Sequence, residues 1–102
     1  MILEVAQLPV RAGEEPAFEA AFAEAGKIIS AQPGFLSHEL VRGADADNGS
    51  QYVLLVRWET VAAHQEGFRH SVDYQTWREL LHKFYEPGIA AAHFATVAGA
   101  LK

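Results

Sequence analysis

Between Tyr52 and Trp58, apolar residues occupy both faces of a period-two pattern: Tyr52, Leu54, Val56 and Trp58 point one way, Val53 and Leu55 the other, with Arg57 the interruption. This is a strand, and it breaks at Thr60 into two short helical stretches, TVAAHQEGFRH and DYQTWRELLHKFYE. Upstream, residues 1–10 are rich in Ile, Leu and Val and form a strand that breaks at Pro9. Glu14, Glu15 and Pro16 then open a helix, with acids against the positive helix end and proline in a tolerated first-turn position. Its buried face is spelled by Phe18, Ala21, Phe22, Ala25, Ile28 and Ile29, and Gln32-Pro33-Gly34 stops it. Phe35 to Arg42 reads as a second strand, with Leu36, His38 and Leu40 on one face and Phe35, Ser37, Glu39 and Val41 on the other. The turn-rich run GADADNGS brings the third strand back antiparallel.

Thr60 caps the first short helix, which carries His64 and Phe68. Ser71 caps the second, whose apolar stripe is Tyr74, Trp77, Leu80, Leu81 and Phe84. Pro87-Gly88 ends it, and Ile89 to Val97 reads as a closing strand with Phe94 on one face and His93, Ala95 and Val97 on the other. The order β-α-β-β-α-α-β predicts an α+β fold of the ferredoxin-like, split βαβ type, with the helices on one face of a four-stranded antiparallel sheet. Residues 1–102 are expected to form a single such domain. Because the third strand is apolar on both faces and the helices cover only one, a second copy of the sheet is expected on the other. The prediction is a symmetric homodimer, two sheets packed as a dimeric α+β barrel.

Composition narrows the function classes. The absence of cysteine excludes a thiol nucleophile, a thiolate metal site and a disulfide framework. A net charge of −5 with scattered basic residues argues against nucleic acid or an anionic membrane surface as partner. No apolar run is long enough to span a bilayer and no signal-peptide pattern opens the chain, so the expected location is cytoplasmic. Asp45, Asp47, Asn48 and Gly49 resemble the start of a calcium loop, but Val56 occupies the place of its bidentate acid, and a solvated hairpin tip is the reading. The five histidines include no helical i, i+4 pair and no H-E-x-x-H, so no metal site is expected.

The residues Asn48, Tyr52, Leu54, Trp58, Glu59, Thr60, His64 and Phe68, followed by Tyr74, Trp77, Tyr85, Pro87, His93 and Phe94, resemble the antibiotic-biosynthesis-monooxygenase (ABM) family across essentially the whole chain. That resemblance implies the dimeric α+β barrel and, among several activities, a cofactor-independent monooxygenase that converts a small aromatic or quinol-like compound to a quinone. It implies Trp58, Asn48 and an arginine as site residues. Haem-degrading members of similar fold place an Asn, a Trp and a His ligand near positions that here hold Ala6 or Gln7, Gly67 or Phe68, and Trp77 or Arg78. None supplies that chemistry, so no cofactor is expected.

Read individually, the candidates have both packing and chemical roles. Trp58 is either a core aromatic or a platform for a planar ring. His64, if it lines a pocket, takes a proton from a phenol or enol, and a pocket-facing His38 would be a second acid or base. Tyr52, Phe68 and Trp77 are candidate walls, and Arg57 within an apolar strand needs either Glu39, Glu59 or an anionic ligand. His70 and His82 read as solvated helix-end residues, and His93 as facing either the cavity or the interface. The expected function is a monooxygenase with a small-molecule substrate. The alternatives are a non-catalytic small-molecule binding or stress-related dimer, and an isomerase of a small carbonyl compound.

Overall fold

A computed structural model describes residues 1–101 of the chain. Strand β1 (Ile2–Pro9) is followed by helix α1 (Glu15–Ser30), strands β2 (Phe35–Arg42) and β3 (Gln51–Trp58), a π-helical turn (Ala63–Phe68), helix α2 (Val72–Leu81), a 3-10 turn (His82–Phe84) and strand β4 (Ala90–Phe94). The four strands form one antiparallel sheet in the order β2-β3-β1-β4. This is the ferredoxin-like α+β arrangement that the element order predicts.

The core forms where the inward face of the sheet meets the helices. Ala6, Leu8 and Val10 from β1 and its extension, and Tyr52, Leu54, Val56 and Trp58 from β3, are buried against Phe18, Phe22, Ala25 and Ile29 of α1 and Trp77 and Leu81 of α2. Burying each large apolar side chain contributes ~1.5–3 kcal/mol, and Phe18 ties the layers together by edge-on contact with Tyr52, Phe84 and Tyr85. Both expected helix caps form: Thr60 Oγ1 accepts from Ala63 N–H at 3.1 Å, and Ser71 Oγ accepts from Tyr74 N–H at 3.1 Å.

Three local expectations are corrected. A bulge between Phe35 and Ser37 turns Phe35 onto the inward face, where it meets Trp58 edge-on, and leaves Leu36 at 46 % exposure. The closing strand ends at Phe94, three residues short of Val97. The first short helix is wound as a π-turn, with Arg69 N–H donating to the His64 carbonyl five residues back. His64 and Phe68, one turn apart, are both buried on its inward side.

On the other side of the sheet, Leu3, Val5, Val53 and Leu55 are only partly covered and Phe94 is 52 % exposed. No helix among the described residues is long and apolar enough to cross a membrane.

Candidate functional site

Alternation along β1 puts Glu4 on the same inward face as Ala6 and Leu8, so a carboxyl group enters the core at the Trp58 end of the sheet. It is 5 % exposed, and its partners come from three other elements. Trp58 Nε1–H donates to Glu4 Oε1 at 2.9 Å. His64 Nε2, delivered by the π-turn, lies 3.4 Å from the same oxygen. His93, the register partner of Glu4 on β4, brings its Nε2 to 2.8 Å from His64 Nδ1. The His64 ring also stacks on the Trp58 indole, with centroids 5.5 Å apart and planes 22° apart. No buried side-chain nitrogen or oxygen among the described residues lacks a partner.

Burial dominates the electrostatics of this cluster. It pulls His64 down to about 4, assisted by the neighbouring His93 and Arg69. His64 is therefore neutral at pH 7, and its contact with Glu4 is not a salt bridge. Burial raises the Glu4 carboxyl, while the Trp58 hydrogen bond and Arg69 pull the other way. With Glu4 ionised, the imidazole proton of His64 belongs on Nε2, leaving Nδ1 to accept from His93.

Beside the cluster lies a cavity of about 120 Å³. Glu4 and His64 line one part of it. Leu54, Phe68 and Trp77 form apolar and aromatic wall, and Arg69, Tyr74 and His82 bring polar groups to it. Its space comes from small side chains on the sheet: Ala6 and Ala91 are register partners across β1 and β4, and both line it.

The residues singled out in the sequence are dispersed. His64, Phe68 and Trp77 meet at the cavity. Trp58 does not line it but lies behind His64, holding Glu4. Tyr52 points toward α1, where its hydroxyl donates to Glu19, and burial together with that carboxylate raises its pKa to about 12. His38 is on the edge strand β2, exposed against Phe22 and Gly26 of α1, with β3 between it and β1, so it is not a second acid or base for this cavity. Arg57 lies in a groove on the outward face with Leu3 and Phe94, and neither Glu39 nor Glu59 forms an ion pair with it. Asn48 is engaged in its own turn, accepting from Asp45 N–H at 2.8 Å.

Three ionisable cavity residues, Glu4, Arg69 and His82, are not among the site residues expected from the sequence. His82 is half-buried on the cavity, with its pKa lowered by burial and then by Arg78 and Arg69, because the 3-10 turn after α2 folds it inward. Glu4 has a sequence signal: it is the one polar residue among Ile2, Glu4, Ala6 and Leu8, the inward parity of β1.

The family model described as antibiotic biosynthesis monooxygenase matches residues 1–80. The chain is 43 % identical over 97 residues to YczJ of Bacillus subtilis (strain 168), an uncharacterized protein, covering 95 % of this chain and 100 % of that one. A crystal structure from Bordetella bronchiseptica that bears the antibiotic biosynthesis monooxygenase name superposes with a TM-score of 0.88 at 34 % identity, covering 94 % of this chain and 96 % of that one. SnoaB, a cofactor-independent oxygenase from Streptomyces nogalater, superposes with a TM-score of 0.81 at 23 % identity over 99 % of this chain and 97 % of that one, a likeness of fold. By the extent of the family match and the identity to these relatives, the chain belongs to the antibiotic biosynthesis monooxygenase family.

Proposed function

We propose that the protein is a monooxygenase, working without a resident cofactor, that converts a small hydroxylated aromatic or quinol-like compound to a quinone. The observation that carries this reading is the buried, neutral His64 beside Glu4 on a cavity with aromatic wall. A neutral imidazole accepts a proton, but burial makes His64 a weak base, so the transfer depends on Arg69, on the same cavity, stabilising the anion formed; deprotonating a phenol or quinol makes the ring electron-rich enough to react with oxygen. In the overall step a ring C–H becomes C=O: one atom of O2 enters the ring, the other leaves as water, and the substrate supplies all the electrons. The substrate hydroxyl takes the place of His93 at His64 Nδ1, the ring nitrogen that carries no proton, and gives its proton there; Phe68 and Trp77 hold the ring, and Trp58 and Glu4 fix the orientation of His64. Closing the ring off from bulk water strengthens each of these polar interactions.

The working unit we propose is a homodimer joined through the outward sheet faces, since Phe94 and the partly covered Leu3, Val5, Val53 and Leu55 form an apolar surface that helices of the same chain leave open. A proton-shuttling isomerase is the second reading, favoured by His82 as another titratable group on the same cavity. Oxygen uptake coupled one-to-one to quinone formation distinguishes them. Carbonyl isomerisation without oxygen uptake would replace the first reading with the second.

A further inference from the structure

The cavity is small for the reaction class proposed above, and it carries a guanidinium, Arg69, that forms no ion pair among the described residues. At about 120 Å³ it is below the roughly 150 Å³ of an apolar protein cavity that accommodates one benzene molecule, so a single ring already fills it and requires a slight widening. Fused rings do not fit wholly inside it. The limit is set by backbone-anchored walls: Leu54 and Ala6 from the sheet, Ile29 from α1 and Trp77 from α2, all at most 7 % exposed.

Arg69 follows the π-turn and lines both this cavity and an outer groove with Gln65 and His70, which places it at the mouth. Its guanidinium lies over the Tyr74 ring at 5.9 Å, and no carboxylate among the described residues is within 4.0 Å of it. An arginine in this position stabilises negative charge inside the cavity. Its reach into the interior is visible in its effect on Glu4, His64 and His82, each of which it shifts toward the less protonated form.

We infer that the cavity is a site for one aromatic ring bearing an anionic oxygen, with Arg69 as counter-ion at the mouth and the Ala6–Ala91 pair setting the permitted ring size. The inference rests on the proposed function for the idea that the ligand is a hydroxylated ring. The selectivity follows from the geometry: a single-ring phenolate is held wholly inside, whereas a naphthalene- or anthracene-sized compound must leave its further rings outside, past Arg69 in the outer groove, and binds less tightly.

The test is anaerobic equilibrium binding of two matched chromophores, 4-nitrophenol with one ring and 4-nitro-1-naphthol with two, whose phenolate absorption reports the bound ionisation state. The expected result is saturable binding of the one-ring probe at least tenfold tighter than the two-ring probe, with the bound probe shifted toward phenolate. Ala91→Leu, shown to be folded by its thermal transition, is expected to abolish binding. Arg69→Gln is expected to weaken binding about tenfold and return the bound probe toward its free acidity. Equal affinity for both probes, binding unaffected by Ala91→Leu, or ionisation unaffected by Arg69→Gln would each overturn the inference. Oxygen uptake is scored separately: one-ring binding without uptake fails the oxygenase reading alone, and uptake on two-ring quinols fails the size limit alone.

Discussion

The indole N–H of Trp58 donates to the Glu4 carboxyl at 2.9 Å, linking two buried residues 54 positions apart in sequence. The Trp58 aromatic body fills the core while its polar edge satisfies a carboxyl group that would otherwise be costly to bury. Trp58→Phe keeps most of the packing and removes the donor. We expect a loss of about 1–3 kcal/mol in urea unfolding, partly recovered when Glu4→Leu is added. An additive double variant would deny the coupling.

Acid sensitivity is predicted to originate at His64. The folded imidazole titrates at about 4 and the unfolded one near 6.5, so between these values the unfolded chain binds more protons. Stability is fully present above 6.5 and declines as pH falls toward 4, by an amount on the order of 3 kcal/mol for the shift taken alone. His82, also lowered, acts in the same direction. Glu4, raised by burial, acts oppositely in the window just above 4.5, where rising pH costs stability. Melting temperature measured across this range is expected to fall on the acid side for the wild type and to be flatter for His64→Gln. Parallel profiles would remove His64 as the source.

Gly34 holds the π-turn close to the sheet. Its φ is +82°, and a Cβ there would lie 2.6 Å from the Ala63 Cβ, next to His64. Gly34→Ala thus combines backbone strain with a clash, and a destabilisation of about 1–3 kcal/mol is expected. The His64 ring resonances are expected to shift as the turn is displaced. An unchanged melting temperature would show that this approach is slack.

The outward sheet face makes a prediction about assembly. Sedimentation at micromolar protein is expected to give a dimer, and Phe94→Glu or Leu55→Glu, which introduces charge into that face, a folded monomer. A monomeric wild type would leave the apolar face in need of another explanation.

Much of the fold was readable because period and punctuation are local properties. The alternation of β1 and β3, the Phe18 to Ile29 stripe and the Thr60 and Ser71 caps each lie within one segment. The site depends on contacts between segments. Face parity groups His38 with Leu36 and Leu40 but leaves open whether that face meets the helices or a partner, and it could not tell that β2 would be an edge strand with β3 between it and β1. Parity along β1 also puts Glu4 on the inward face, a signal the sequence reading did not use, and its meaning comes only from register with His93 and the hydrogen bond from Trp58. His82 looked like a solvated helix end because the 3-10 turn that folds it inward has no strong sequence mark. The shared face of His64 and Phe68 was visible in their spacing, whereas the π-winding of the turn that carries them was not.

The central claim is that His64 takes the substrate's proton, and the most direct measurement is steady-state oxygen uptake by wild type and His64→Gln on a single-ring quinol. A general base typically contributes 10²–10⁴-fold, so the expected result is a fall in kcat of at least about 100-fold with KM little changed. Equal kcat in the two proteins would contradict the account.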